Sequence, residues 1–460
     1  MITATQKIAA PLDAISNLSS YLSQGVDGLM RDDPAIFALL EAEHDRQLRT
    51  LSLVASCGGT HPSVMAATGA SIVNVTAEGY PAQRYHAGCE YVDQVEQLAI
   101  ERACKAFAAS YANVQLHCAS FANHTVMQCF LSPGDPILGL ALDQGGHLTH
   151  GAAANLSGRM YDVRSYGIDA TGQVNYDQMR DLAHQYRPKL IVCGTTSCTR
   201  VIDFARIRAI ADEVGALVLA DITHIAGLVV AGLHPSPIDA AHFTTTCTFK
   251  QLYGPRGGLI LMGRDADTIS DDGRTSLSAR IQRAVFPMMQ GSPEVHTIAG
   301  KAVALERLLD PEFKERARLI QDNARVLASE LADRGYDLVG GGTDNHIVLF
   351  ATPRGLTGEM AERALESCGV LVNKNKLPSD TRSARTASGV RLGTNTVSLR
   401  GMGKAEMGIC ATLLDDVLRN VTPADDGGYK MTEGVREDVS HRVRDLCAAH
   451  PMPYASRPIH

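Results

Sequence analysis

The sequence predicts an α/β fold, with a larger part built on a mostly parallel sheet and a smaller C-terminal α+β part. Between about residues 51 and 265, short apolar runs alternate with helical patterns, as they do in a sheet with helical crossovers. The runs are continuously apolar, as strands covered on both faces are. After about residue 300 the alternation gives way to a helix-rich stretch and short strands separated by glycine turns. The expected division is an N-terminal extension and arm helix over 1–50, a large domain over 51–300 and a small domain over 301–460.

Residues 1–32 are weakly periodic and contain Ser, Asn and Gly, and read as a flexible or loosely docked extension. Asp33-Pro34 then opens a helix to about Thr50, with Asp as cap and Pro in the first turn. An apolar helix runs to about Leu131, and Ser120 is its expected N-cap. Residues 137–142, 190–193, 216–220 and 259–262 read as buried parallel strands. Asp203 caps a helix that carries Phe204, Ile207, Ile210, Ala211 and Val214 on one face. Ligands of such a sheet gather at the C-terminal ends of its strands. Beyond residue 302, helices lead to a strand at 347–350, Thr357 caps a helix to about Cys368, and polar residues 379–388 form a loop.

A chain of 460 residues can bury two or more cores. With 45% hydrophobic and 20% charged residues it has the composition of a globular protein. A net charge of −7 leaves no basic footprint for nucleic acid. No apolar run approaches a membrane span, and no basic-then-apolar signal pattern opens the chain, so a cytosolic location is the default expectation. The eleven cysteines are scattered and mostly sit in apolar patterns, without a CxxC pair. Reduced thiols are expected, and neither the cysteines nor the sixteen histidines show metal-ligand spacing.

Chemistry concentrates in a few places. Lys250 stands between the hydroxyl run 244–248 and a Gly-Pro-Arg-Gly-Gly turn, placed like a Schiff-base former for an aldehyde cofactor, or else a surface loop lysine. Asp221 ends a strand in Asp221-Ile-Thr-His224, where a carboxylate could pair with a protonated pyridine nitrogen or simply cap a helix. His147, in Gly145-Gly-His147-Leu-Thr-His150-Gly151, could stack on a flat ring or be structural. Ser120 at a helix start offers a phosphate seat, a weak signal alone. Arg391 lies in an apolar strand pattern and needs an anion, either a substrate carboxylate or an internal partner. Glu78, in a loop rich in Tyr, Arg and His, could exchange protons; alone it is a loop glutamate.

Together these residues resemble the serine hydroxymethyltransferase family of aspartate-aminotransferase-like (fold type I) pyridoxal-phosphate enzymes. The resemblance runs from about residue 34 to the end. It rests on Ala77-Glu-Gly-Tyr-Pro81, Gly88-Cys-Glu-Tyr-Val-Asp93, Gly145 to Gly151, Asp221 to Gly232, Lys250 to Gly258, Gly341-Gly-Thr-Asp-Asn-His346 and Asn373-Lys-Asn375, in the family's order. It implies pyridoxal 5′-phosphate as cofactor and tetrahydrofolate as cosubstrate. Lys250 would form the Schiff base, Asp221 would pair with the pyridine nitrogen, His147 would stack on the ring and His224 would approach its hydroxyl. Ala119, Ser120, Thr196 and Gly291 match cofactor positions. Arg391 would clamp the amino-acid carboxylate, with Ser56, Thr76, Tyr85 and His86 at substrate positions. Glu78 would be the acid/base group, reaching in from a partner subunit. Leu142, Gly146, Leu148 and Asn375 match positions that receive the pterin. The resemblance also implies a homodimer at least, with a tetramer left open.

The departures bear on the reaction. Thr76 stands where the family usually has tyrosine, His86 replaces the second tyrosine of an Arg-Tyr-Tyr run, and Ser56-Cys57-Gly58 replaces Ser-Glu-Asn. Phe249 replaces the histidine before the lysine, and Met288-Met289 stands where the family has glycines. Thr76 removes a phenol beside the α-carbon and makes room for an α-methylserine-type substrate. A folate-independent, threonine-type aldolase and a degenerate binding subunit are the competing readings.

Overall fold

The computed structural model describes residues 17–455 apart from 354, 379 and 426. Its centre is a seven-stranded sheet of β1 (Tyr111–Asn113), β2 (Pro136–Leu140), β3 (Asp162–Tyr166), β4 (Leu190–Gly194), β5 (Leu217–Asp221), β6 (Phe243–Cys247) and β7 (Gly258–Met262). The order across the sheet is β1-β7-β6-β5-β4-β2-β3. Strands β3, β2, β4, β5 and β6 run parallel. The predicted helix between β4 and β5 spans Phe204–Val214, and the Asp203 side chain accepts from Arg206 N.

The predicted parallel strand at 259–262 is present but antiparallel to β6. Only residues 248–257 separate the two strands, too few for the crossover of a dozen or more residues that a parallel pair needs. Strand β6 itself contains the threonines read as a hydroxyl run. Thr244, Thr245 and Thr246 are fully buried, and their branched side chains suit a strand. Strand β3 is an edge strand with mixed polar residues and gives no continuous apolar signal.

A second sheet, antiparallel and three-stranded, joins Ile347–Ala351, Gly389–Gly393 and Asn373–Asn375. Helices Pro311–Asp333 and Lys404–Arg419 pack together beside it around a separate apolar core. That core also takes Leu51 and Leu53, because Leu51–Ser52 pairs in parallel with Val370–Leu371. Helix Val295–Arg307 packs instead on helix Glu90–Phe107 beside the large sheet. Thr357 caps Gly358–Ser367 as expected. Residues 380–388 form no helix or strand, and Ser379 lies outside the described residues.

The extension is more regular than its sequence implied. Residues 1–16 lie outside the described part, but Asn17–Asp32 is a helix, followed by Pro34–Arg49 with Asp33 as its cap. Serine and glycine in 17–32 weaken propensity without breaking periodicity. Neither helix buries a residue, and Tyr21, Val26, Met30, Leu39 and Leu40 all stand exposed. No helix among the described residues is long and apolar enough to cross a membrane.

Candidate active site

Asp221 is the last residue of β5, where the strand order delivers it to the C-terminal edge of the sheet. It is buried, and three donors converge on it. Asn123 Nδ2 reaches Oδ2 at 2.8 Å, His150 Nε2 reaches Oδ2 at 3.3 Å, and Thr223 N reaches Oδ1 at 3.0 Å. Burial alone would raise its pKa, but the His150 hydrogen bond, the neighbouring histidines and Thr223 outweigh burial and hold the carboxyl well below its ordinary value.

Asn123 organises this network. Its Oδ1 accepts from Thr245 on β6 at 2.5 Å, and its Nδ2 also donates to Thr149 Oγ1 at 2.8 Å. The Thr149 hydroxyl proton is then directed to His147 Nδ1, 2.8 Å away, which also accepts from Thr149 N. His147 is therefore a neutral ring with its proton on Nε2. Burial lowers its pKa to about 4. His147 N donates in turn to His150 Nδ1, leaving His150 Nε2–H for Asp221. The ligand atoms of His147, His150 and Asp221 lie within 4.8 Å of one another, a spacing a metal could use. Here Asp221 and His150 are already hydrogen-bonded to each other.

Lys250 follows β6, and its Nζ lies 2.7 Å from His224 Nε2. Burial lowers the pKa of both groups, which favours a nucleophilic amine. Gly58 packs on the backbone here: a Cβ would come within 2.5 Å of Lys250 O. Phe249, the histidine replacement, stacks under the Arg256 guanidinium at 4.2 Å.

A cavity of about 190 Å³ is lined by Ala119, Ser120, His147, Thr195, Thr196, Asp221, Thr223, His224, Cys247 and Lys250, together with Cys118, Phe249 and Arg256. The cap of the helix Ala119–Phe130 is Cys118, not Ser120: the chain is extended at Cys118, whose Sγ accepts from Phe121 N, and Ser120 already lies in the first turn. Ala119 and Ser120 of that first turn line the cavity, and a helix start has free NH groups to offer an anion. Arg391 joins the same site from the second sheet, donating through Nη1 to Thr196 O at 2.5 Å and through Nε to Asn373 Oδ1 at 3.0 Å. Among the described residues it has no carboxylate partner, so the internal salt bridge is not formed. Ser56 lines an adjoining cavity of about 580 Å³ that shares Phe249 and Arg256 as walls. Leu142 and Leu148 are each 46% exposed, on the loops that flank the buried Gly146. Asn375 pairs with Gly389.

Of the expected residues, Ser56, Leu142, Gly146, Leu148, Asn375 and Arg391, placed above, do not line the lysine cavity of their own chain, and neither do Thr76, Glu78, Tyr85, His86 and Gly291. Thr76, Glu78, Tyr85 and His86 belong to one loop, with Glu78 beside Gly291, where a Cβ would lie 3.2 Å from Oε1. The sequence reading also missed Asn123, Thr149, Thr223 and His346. His346 is fully buried and its ring stacks 6.0 Å from that of His224. Its place in Asp344-Asn-His346 was visible, but its neighbour was not.

The residues present fit a phosphorylated pyridine aldehyde. Thr223 Oγ1 and His224 Nδ1 are buried without partners among the described residues, and both belong to residues of the cavity wall. A buried carboxylate, an amine and an open helix start converge there. The α/β fold and this site define a fold type I pyridoxal-phosphate enzyme. Residues 29–414 match the family model described as Serine hydroxymethyltransferase, and the chain belongs to that family. It is therefore a pyridoxal-phosphate-dependent transferase of the hydroxymethyltransferase type.

Proposed function

We propose that the protein moves a one-carbon unit between a β-hydroxy amino acid and tetrahydrofolate, and that its amino acid carries an α-substituent, as α-methylserine does. The observation that carries the substrate reading is Thr76, which lacks the phenol usual at that position in the family. Bound pyridoxal phosphate supplies the electron sink for the pair left on the α-carbon when the Cα–Cβ bond breaks.

In this reading the chain's own residues do the rest. Lys250 would hold the cofactor through its amine, whose pKa burial lowers. Asp221 would supply a fixed negative charge to a protonated ring nitrogen, and neutral His147 would offer the ring a flat face without adding charge. Ala119, Ser120, Thr196 and the partner's Gly291 receive the phosphate. Arg391 orients the substrate carboxylate. Glu78 of a second copy takes the β-hydroxyl proton as formaldehyde leaves, and tetrahydrofolate, seated by Leu142, Gly146, Leu148 and Asn375, captures it. The separation of Glu78 from Lys250 within one chain supports a homodimer, as do the exposed apolar side chains of the two N-terminal helices.

The test supplies L-serine or α-methylserine with tetrahydrofolate. The expected result is faster turnover of α-methylserine, and of L-serine in Thr76→Tyr. A strong wild-type preference for L-serine removes the α-methyl reading and leaves the family intact. The folate-independent aldolase draws on His86 and on Cys57-Gly58 at the substrate mouth; full-rate product without folate would favour it.

A further inference from the structure

Glu78 is carried by a backbone held on every side, while its carboxylate has no hydrogen-bond partner among the described residues. Arg84 does most of the holding. Its Nη1 donates to Ala77 O and to Gly79 O, both at 2.9 Å, and these carbonyls flank Glu78. Its Nε reaches Asp93 at 2.7 Å and its Nη2 reaches Glu96 at 2.6 Å. The Arg84 side chain is 4% exposed and that of Glu96 1%.

The surrounding contacts close the frame. Gln115 Nε2 bridges Gly79 O at 2.9 Å and Glu96 at 2.7 Å. Tyr85 N donates to Glu78 O at 3.0 Å, and Ala77 N donates to Ser292 Oγ at 3.0 Å. Burying a guanidinium with two carboxylates is costly compared with apolar packing. What it provides is direction: a planar fork can serve four acceptors at fixed angles, and a lysine ammonium cannot.

We propose that Arg84, itself held by Asp93 and Glu96, is a positioning residue for hydroxymethyl transfer that sets where the Glu78 carboxylate stands. The inference rests on the reading of Glu78 as the proton-transfer group. A small misplacement of such a group is enough to cost about a hundredfold in rate.

The experiment is a double-mutant cycle with Arg84→Lys and Glu78→Gln in the cofactor-loaded enzyme. Arg84→Lys should lower kcat by roughly 10- to 100-fold while the amino-acid KM and the cofactor affinity change by less than about threefold. In the Glu78→Gln background the same change should cost almost nothing further, because its effect runs through the missing carboxylate. Equal losses in both backgrounds would show a general structural role and overturn the inference, as would wild-type kcat in Arg84→Lys. If Glu78→Gln alone keeps full activity, the Glu78 reading itself fails, which the cycle shows separately. Should Arg84→Lys not fold, Glu96→Gln loosens the same clamp and must show the same non-additivity.

Discussion

Arg391→Gln tests the substrate site where the arithmetic is simplest. A guanidinium carries five N–H donors. Two are engaged, Nε–H with Asn373 and one Nη1–H with Thr196 O. Three remain, one on Nη1 and two on Nη2, and the edge between these nitrogens can present one from each. Burial lowers the pKa to about 10, so the group stays charged at neutral pH. A carboxylate docking on that edge gains two charge-assisted hydrogen bonds, each worth about 1.5–3 kcal/mol. Losing both amounts to about 3–6 kcal/mol, or roughly 10²- to 10⁴-fold in affinity. The carboxylate is not changed by the transfer, so the loss falls on substrate and transition state alike: KM should rise by that factor and kcat should change much less. Steady-state kinetics over amino-acid concentration measure this, with cofactor absorbance confirming an intact holoenzyme. A KM within about threefold of wild type would refute the assignment.

Lys250→Ala should abolish the visible absorbance of lysine-bound cofactor and the adduct that borohydride fixes at residue 250; an adduct on another lysine would contradict this. Lys301→Met should destabilise the chain by about 3 kcal/mol or more in denaturant, because the buried ammonium satisfies Val114 O, Leu116 O and Gly258 O, which would lose their donors together; an unchanged midpoint would refute this. Burial depresses His147 and His242 to about 4, so below pH 6.5 the unfolded chain takes up protons that the folded chain refuses. Stability should be full above that pH and fall progressively toward pH 4, whereas unfolding curves that do not move across this window would contradict it. Mixing inactive Lys250→Ala and Glu78→Gln chains should restore roughly a quarter of wild-type activity, since half of randomly paired dimers would hold one intact site. Heterodimers that form and stay inactive would place both residues in one chain's site.

The fold was legible wherever burial left a continuous apolar run. Strands β2, β4 and β5 and the helix capped by Asp203 follow directly from that signal. It failed where a strand's side chains are polar for another reason. Three of the five residues of β6 are threonine, and Thr245 turns its hydroxyl to Asn123 instead of to solvent. Direction failed at β7, since an apolar run carries no sign; the length of the connection does, and residues 248–257 permit only a hairpin-like return.

The site was legible in its charged ends and not in what tunes them. Lys250, Asp221, His147 and Arg391 can each be picked out by type and place, but the state of each is set by neighbours far away in sequence. Asn123 is 98 residues from Asp221, and its one amide group fixes both the carboxylate and, through Thr149, the His147 tautomer. Reversing that amide would aim Nδ2 at Thr245 and leave Oδ1 facing a carboxylate, removing one of the three donors that hold the negative charge. Sequence spacing cannot report this, because the information lies in which strand ends meet at the C-terminal edge of the sheet. The same reasoning separates Glu78 from the lysine cavity of its own chain: its loop is pinned by Arg84 to the Glu90–Phe107 helix through Asp93 and Glu96, and Glu78 is not among the residues that wall that cavity. In the proposed role, a Glu78 carried on so firmly held a backbone would serve the cavity of a second copy.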